Sequence, residues 1–522
     1  MPSVMTKTWA RFIADLPPAL QTLFSSETLS ALRNETAPIG VPRDDSRSVQ
    51  PGDVFFALQG SKVDGHVYVD AVTEKNAWVI GSRFGADRTS VLVSQGETRS
   101  RSDADRLQIR VVDGSDRSVR KLFAWMSSWY FDHPSRDLEI VGVTGTSGKT
   151  TTTYLIRSIL EAAGKKTGII GTVENRVGEK TWTVTHTTPS AFELQRLLSE
   201  MKMAGARAVV MEVSSHALEQ ERVFATGFSA AAFLNLTPEH LDYHPSMDAY
   251  FEAKVRLFKQ GFEWSRWQGK RPIGVVASLP GAVWNQRLLD RDSALKGSTR
   301  GVWELSADGI RGTWKPESMP TSEGISIVSS LVGDFNTQNV EVALSICHAL
   351  GVAEKALAKG IFNLKGVAGR LERVDTGKKP FRVLVDYAHK PDALEKVLKT
   401  VRPLCRGKIT LVFGCGGDRD KTKRPVMGAL AEKLADRVIV TSDNPRTEDP
   451  SAIVQSILSG MKTWASVVVE LDRRSAIQQA VLGACEGDIV LIAGKGHEKT
   501  QERNGRKAPF DDVEIARSFL EN

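Results

Sequence analysis

The chain has 522 residues, 41% hydrophobic and 25% charged, with a net charge of +7 and four cysteines. That length exceeds one domain and predicts roughly three, while the composition is that of a water-soluble globular protein and no apolar run approaches the roughly 20 residues of a membrane span. The charge would allow nucleic-acid binding, but lysines and arginines are dispersed among 62 acidic residues and no basic run carries interleaved aromatics; a mildly basic chain also suits polyanionic small molecules, and the charge decides nothing alone.

The opening stretch, MPSVMTKTWARFIADLPPAL, has no continuous apolar core and no small-residue cleavage site, so no secretory signal is expected. Cys347, Cys405, Cys415 and Cys485 are scattered without metal-ligand spacing and read as free thiols of a reducing cytoplasm.

Residues 1–136 form the first predicted unit. Residues 44–58 read as a turn cornered by Pro51 and Gly52, then a strand; further strands are predicted at 77–80, 91–93 and 107–112. Residues 60–66 (GSKVDGH) make a polar, glycine-bounded loop suited either to a ligand or to plain surface, and residues 100–105 read as an exposed loop. A helix is predicted over 118–131, and His133-Pro134 marks the first boundary.

The second unit opens on the most informative stretch. Residues 138–143 are an apolar, β-branched run that suits a buried strand, and from Lys149 onward Leu155, Ile156, Ile159 and Leu160 recur at helical spacing, with Gly164 as C-cap. Between them lies TGTSGKTT. Gly145 and Gly148 let backbone amides curl around an anion, Lys149 can reach β- and γ-phosphates, and the Thr150 hydroxyl can ligate Mg²⁺. Val143 stands where the strict P-loop pattern wants glycine, yet a GKTT ending between strand and helix still predicts an ATP or GTP site.

Strands and helices then alternate to about Gly366, the pattern of a parallel sheet covered by helices. Residues 206–213 form a predicted strand with Glu212 near its C-terminal end, where a carboxylate is either an Mg²⁺ ligand or solvated. Residues 228–236 form another, leading to Thr237-Pro238, which reads as a helix start. Residues 247–258 make an amphipathic helix with Lys254 on its aromatic face; on residue chemistry alone such a lysine snorkels. Residues 260–330 read as a strand-rich excursion, and a further helix begins near Asn336.

A third unit starts after residues 366–374. Its predicted strands are 382–386, 409–413, 437–441, 467–471 and 489–493. DYAHKPDAL, GCGGDRDKTKRP, SDNPRTEDP and GKGHE load four strand ends with charge or glycine. That layout resembles a Rossmann-like domain whose loops share a crevice. No GxGxxG with a downstream ribose acid stands out, so no dinucleotide is inferred.

GTSGKTT, HTTPSAFELQ, MEVSSHALEQERV, NLTPEHLDYH, YFEAKVRLF, GDFNTQN, GRLERV, DYAHKPDAL, GCGGDRD, DNPRTED and GKGHE occur in this order, and together they resemble the Mur ligase family over essentially the whole chain. The resemblance implies an α/β protein of three domains: 1–136, a smaller α/β domain for the uridine nucleotide; 137–366, a central P-loop ATPase with a parallel sheet; and 367–522, a Rossmann-like domain for the incoming amino acid.

Carried over residue by residue, the resemblance assigns Gly145, Thr146, Ser147, Gly148, Lys149, Thr150, Thr151, Asn339 and Arg370 to ATP. Asp44, Ser46, Ser61, Lys62 and Val63 match the UDP-sugar contacts, and Thr187, Thr188, Ser214, Gln220 and Arg222 match those to the rest of that substrate. His186 keeps an open role. Arg419, Asp443, Asn444, Pro445, Arg446, Gly494 and Glu498 match the amino-acid site. Lys149, Glu212, His216 and Lys254 are the implied catalytic groups. Thr150, Glu212, His216 and Lys254, the last as a CO₂-derived carbamate, are the implied Mg²⁺ ligands.

The resemblance further implies an ATP-dependent amide ligase of peptidoglycan precursor synthesis, a bacterial cytoplasmic monomer. ATP would phosphorylate the D-glutamyl γ-carboxylate of UDP-MurNAc-L-Ala-D-Glu, and the amine of meso-diaminopimelate would then displace phosphate, with closure of three domains excluding water. DNPR is the form typical of diaminopimelate-using members. The rivals are an L-lysine-adding ligase, a folylpolyglutamate-type ligase, a P-loop motor ATPase and an inactive scaffold.

Overall fold

The computed structural model describes residues 6–60, 63–82, 108–110, 115–306, 308–316, 324–463 and 467–521. They fall into two compact units: Met1–Lys149 with Gly164–Gly297, and Thr150–Ala163 with Ser298–Asn522. The division passes through the helix that follows the glycine turn, Lys149–Ala162.

The first unit holds two sheets. The smaller has β1 (Pro42–Arg43), β2 (Val54–Ala57), β3 (Trp78–Gly81) and β4 (Gln108–Arg110) side by side in that order, all parallel. Alternate residues of β2 serve two cores: Val54 and Phe56 join Trp9, Phe12 and Leu122 on one face, and Phe55 and Ala57 join Val69, Val72 and Val79 on the other. A strand buried on both faces reads as one apolar run, which is why VFFA is legible. The helix Asp116–Tyr130, capped by Ser115 Oγ accepting from Ser118 N at 3.1 Å, is the one expected from 118–131. The strand expected at 91–93 and the loop at 100–105 lie outside the described residues.

The larger sheet comprises β5 (Glu139–Thr144), β6 (Thr167–Ile170), β7 (Asn175–Val177), β8 (Lys180–Trp182), β9 (Ala208–Glu212), β10 (Ala230–Phe233), β11 (Ile273–Val276) and β12 (Lys296–Gly297), in the order β12-β11-β10-β5-β9-β6-β7-β8. The β6–β7 and β7–β8 pairings are antiparallel; β5 lies parallel between β10 and β9. The chain thus reverses its direction of travel across the sheet at β5, which puts the glycine turn where open α/β sheets bind ligands. The helix Met247–Trp267, capped by Ser246, runs well past the expected 258 and buries Tyr250, Phe251, Lys254, Val255, Leu257, Phe258 and Phe262. Thr237-Pro238 starts no helix. Its backbone is engaged with the glycine turn, Thr237 N donating to Thr146 Oγ1 at 3.1 Å, and His240 adopts a left-handed φ of 58° that a helix excludes.

The second unit begins with an antiparallel sheet of β13 (Gly301–Ser306), β14 (Gly309–Trp314) and β15 (Ile325–Ser329), the expected strand-rich excursion, although the helix Val283–Arg291 precedes it within the span 260–330. The helix Phe335–Ala349 follows. The main sheet has β16 (Glu372–Val374), β17 (Arg382–Asp386), β18 (Ile409–Phe413), β19 (Arg437–Val440), β20 (Val467–Val469) and β21 (Ile489–Ala493), ordered β16-β17-β21-β18-β19-β20. Only the β16 pairing is antiparallel. A two-stranded ribbon, β22 (Thr500–Arg503) with β23 (Arg506–Pro509), follows β21.

Beneath this sheet lies a fully buried ion pair. Arg473 and Asp512 are both without exposed side-chain surface, joined by Nε–Oδ1 and Nη2–Oδ2 contacts of 2.8 Å each. Deleting one partner strands the other charge in a dry interior, so Asp512→Ala is expected to lose about 3–5 kcal/mol of stability. Chemical denaturation of the full chain checks this; a loss below about 1 kcal/mol contradicts it.

Candidate active site

β5 runs straight into the glycine turn. Gly145 and Gly148 take φ of +151° and +88°, and a Cβ at Gly145 would press on Leu234 Cβ at 2.9 Å and Asn235 N at 3.2 Å. The segment leaving β10 braces the turn. Thr146 N donates to Asn235 O at 3.0 Å, Ser147 N to Asn235 Oδ1 at 2.9 Å, and Asn235 Nδ2 back to Ser147 O at 3.1 Å. Bracing of this kind fixes the amides in advance, as an anion cradle requires. The Lys149 ammonium lies over the turn, donating to Gly145 O at 2.9 Å and Thr146 O at 2.8 Å.

Glu212, at the end of β9, is 2% exposed, which removes the solvated alternative. Its Oε1 accepts from Thr172 N at 2.9 Å and its Oε2 from Thr172 Oγ1 at 3.2 Å; Thr172 Oγ1 also meets Thr187 Oγ1 at 3.0 Å. One threonine therefore connects the carboxylate to the expected substrate grip. Beside it, Thr188 Oγ1 donates to Glu212 O at 2.9 Å and accepts from Ser214 N at 3.0 Å.

Arg222 donates to Thr188 O at 3.0 Å and through Nη2 to Gln220 Oε1 at 2.6 Å. Asp44 is exposed as a residue, yet its carboxyl is crowded enough for desolvation to raise its pKa, against the Arg222 and Arg120 charges. Burial and then Arg222 lower the pKa of His186. Asp44, His186, Thr188, Gln220 and Arg222 are thus gathered in one region. Ser46 opens a short turn whose carbonyl accepts from Lys75 Nζ at 3.1 Å, and Val63 is exposed. Ser61 and Lys62 lie outside the described residues.

Lys254 is 1% exposed, so it does not snorkel. Its Nζ donates to Gly145 O at 2.9 Å, the same oxygen that Lys149 Nζ meets at 2.9 Å, so the two nitrogens lie within twice that distance. Burial first, then the Lys149 charge, push its pKa well below the ordinary lysine value. His216 faces Tyr243, His240 and His244, with ring centroids 4.2, 4.7 and 5.7 Å away. Burial and then Arg222 lower its pKa, favouring the neutral ring that has a lone pair to offer.

In the second unit, Thr150 Oγ1 accepts from Arg370 Nη2 at 3.4 Å, and Thr151 is buried on the same helix. The Arg370 guanidinium lies 5.4 Å from the Tyr387 ring centroid, and its Nε is buried without a hydrogen-bond partner. Asn339 is committed to neighbours, accepting from Thr152 Oγ1 at 3.2 Å and donating to Asn336 Oδ1 at 2.8 Å.

The loops expected to take the amino acid lie at the carboxyl ends of β17, β18, β19 and β21. Asn444 Nδ2 donates to Glu498 Oε2 at 2.7 Å. Arg446, with φ 51°, donates through Nη1 to Gly417 O at 2.6 Å and holds its Nε 3.7 Å from Glu502. A Cβ at Gly417 would overlap Pro445 O, and one at Gly494 would come within 2.6 Å of Asp443 Oδ2. Tyr387 has its pKa raised by burial first, with Glu498 and Asp443 adding and Arg370 and Arg419 opposing, so four charged groups surround one phenol.

Sequence models of two family domains match this chain: "Mur ligase middle domain" over residues 143–266 and "Mur ligase, glutamate ligase domain" over residues 369–496. A UDP-N-acetylmuramoyl-L-alanyl-D-glutamate--2,6-diaminopimelate ligase of Gloeobacter violaceus is 43% identical over 480 residues, covering 91% of this chain and 92% of its own. The chain belongs to the Mur ligase family. A relative of the same name from Aquifex aeolicus shares 37% identity with this Mur ligase over 485 residues, 91% of this chain and 92% of its own. A solved structure of a ligase of that name superposes with a TM-score of 0.63 at 31% identity, covering 93% of this chain and 95% of that one. A folylpolyglutamate synthase of Mycobacterium tuberculosis, at 16% identity and a TM-score of 0.55, shares the fold.

The residues of this Mur ligase fit a nucleotide and its ion on chemical grounds. In the first unit the braced turn at Gly145 suits phosphate oxygens and Glu212 is a hard oxygen donor of the kind Mg²⁺ prefers; in the second, taken by itself, the orphaned Arg370 Nε suits a phosphate oxygen and Thr150 carries a hydroxyl oxygen donor. Among the described residues, no group of three or more His, Cys, Asp or Glu side chains gathers as a metal site.

Sequence reasoning missed Thr172, Asn235 and the β22–β23 ribbon. Thr172 and Asn235 each follow a strand end, the criterion that found the loaded loops of the third unit. The ribbon carries its own signal: Asn504 and Gly505 both take positive φ, 48° and 71°, the turn that an Asn-Gly pair favours.

Proposed function

We propose that this Mur ligase joins meso-diaminopimelate to the D-glutamyl γ-carboxylate of UDP-MurNAc-L-Ala-D-Glu, acting as a monomer in the bacterial cytoplasm and converting ATP to ADP and phosphate. Residues 1–136 take the uridine nucleotide, 137–366 the ATP and 367–522 the amino acid. The observation that carries this reading is the DNPR loop at the end of β19, with Arg446 held by Gly417 and Glu502. The relatives' names point the same way.

A carboxylate is a poor acyl donor, so a carboxylate oxygen first takes the γ-phosphoryl group, giving an acyl phosphate and ADP. The amine nitrogen of the amino acid then attacks the acyl carbon, the C–N bond forms, a proton leaves the nitrogen, and phosphate departs with the bridging oxygen. Two anions must approach in the first step. Lys149 leaves its carbonyl contacts for the γ-phosphate, placing a cation where charge accumulates. Lys254, whose pKa burial and then the Lys149 charge push down, adds CO₂ through the free-amine form of Nζ and loses a proton, becoming an anionic oxygen donor. Thr150, Glu212, His216 and the Lys254 carbamate would hold Mg²⁺, which supplies charge neutralisation between phosphate and carboxylate. Thr187, Thr188, Ser214, Gln220 and Arg222 orient the nucleotide-peptide.

ADP release is expected only when both UDP-MurNAc-L-Ala-D-Glu and a diamino acid are present, and Lys149→Ala is expected to lose about 10²–10³-fold of it. A coupled assay with each component omitted in turn checks this. Rapid ATP turnover by the protein alone, or turnover stimulated by DNA, replaces the ligase with a motor.

A further inference from the structure

Lys495, the second residue of GKGHE, is 0% exposed. Gly494 and Gly496 on either side take φ of +111° and +51°, a double kink that turns the side chain inward. A buried ammonium is costly unless each of its three donors finds an acceptor. Here Nζ meets Asn444 Oδ1 at 3.2 Å, Glu498 Oε2 at 3.4 Å and Thr500 O at 2.7 Å. These acceptors belong to three segments: the DNPR loop, the end of GKGHE and the first residue of β22.

The geometry points to Lys495 as the residue that pre-shapes the amino-acid pocket, a positioning and specificity-determining group for recognition of the diamino acid. The inference rests on the ligase reading above. Asn444 Oδ1 accepts from Lys495 Nζ and also from Glu502 N at 2.9 Å. With both acceptor positions used, the amide has one orientation, and its Nδ2 must face Glu498. Glu498 in turn is held by Asn444 and Lys495 together.

The ribbon completes the lock. Gln501 Nε2 donates to Asp443 O at 2.8 Å, Arg446 N to Glu502 O at 3.0 Å, and Asn504 N to Arg446 O at 2.6 Å. Lys495 bonds the DNPR loop, Glu498 and the ribbon at once. Its removal frees the Asn444 amide to flip and Glu498 to swing, which loosens the pocket without touching the glycine turn that holds ATP.

The test is Lys495→Met, near in length and unable to donate, made in the full chain and assayed with each substrate varied in turn. The KM for meso-diaminopimelate is expected to rise about 10-fold or more, with the KM values for ATP and the nucleotide-peptide within about 2-fold of wild type. The preference for meso-diaminopimelate over L-lysine is expected to fall by a similar factor. Unchanged KM and preference overturn the inference, as does a uniform rise in all three KM values, the sign of general loss of structure.

Two further measurements serve if K495M does not fold. Lys495→Gln, which keeps an amide donor group on a shorter, uncharged side chain, is expected to show the same selective rise in smaller measure, and wild-type affinity in that variant overturns the inference. In the wild-type protein, Asn444, Arg446 and residues 500–504 are expected to exchange amide hydrogens slowly before any amino acid is added. Fast exchange that slows only on adding meso-diaminopimelate overturns pre-shaping. A wild-type enzyme with no diaminopimelate-dependent turnover overturns the ligase reading and this inference with it; an active wild type beside an indifferent K495M overturns the inference alone.

Discussion

Wild-type enzyme offered L-lysine in place of meso-diaminopimelate is expected to show kcat/KM lower by about 10⁴-fold or more. The two amino acids differ by one carboxylate, and an arginine fork grips a carboxylate through two parallel hydrogen bonds. On the proposed reading that arginine is Arg446. Its backbone is fixed on both sides by the β22–β23 ribbon, and its guanidinium is aimed by Gly417 O and Glu502. With lysine bound, the fork would face a methylene and a second cation in a partly desolvated pocket. Arg446→Lys keeps the charge and loses the fork, so it too is expected to lose diaminopimelate selectively. Competition kinetics with both amino acids measure the ratio. Comparable kcat/KM for the two refutes the substrate assignment and leaves the ligase standing.

Lys254→Ala is expected to lower kcat by about 10²–10³-fold or more, the usual cost of removing a group that offsets charge in the transition state. The protein should stay folded, because Gly145 O, which loses the Lys254 Nζ hydrogen bond, still accepts from Lys149 Nζ. Short carboxylates such as formate are expected to restore part of the rate by replacing the lost anion. The pH dependence follows from the sign of the shift. CO₂ adds only to a free amine, and a depressed lysine pKa makes that form available nearer neutrality. Acidification reprotonates the nitrogen and releases CO₂, so activity should fall with pH and respond to added bicarbonate. A fully active alanine variant would show that Lys254 contributes packing alone.

Much of this was readable in the residues. The strands β17, β18, β19 and β21 end where continuous apolar, β-branched runs meet glycine or charge, and the glycine turn announced itself by GKTT. Lys254 shows where residue chemistry stops: an isolated lysine on an aromatic face has no sequence mark of burial, and only the packing of Tyr250 and the glycine turn around it supplies one. At Thr237-Pro238 a local rule lost to tertiary contact, since the backbone that would have opened a helix is engaged by Thr146. The ribbon TQERNGRKAP is mostly polar and offers no apolar alternation, so only its Asn-Gly turn could have revealed it. Ser158 bonding the distant Gly360 at 2.6 Å is the kind of long-range pairing that no window of sequence contains.

Three partners hold the DNPR loop: the ribbon at residues 501–504, Lys495 through Asn444 Oδ1, and a glycine loop so close that side chains at Gly414 and Gly417 would overlap Thr441 O and Pro445 O. Substitutions in such a neighbourhood are not independent. Grafting another family member's tetrapeptide onto this chain would leave Gln501, Glu502 and Lys495 facing the wrong atoms, and a double-mutant cycle across them would show strong coupling. A switch of substrate preference would therefore have to travel as a linked set of changes, each costly alone, which places the alternative specificities on separated peaks rather than along one gradual slope.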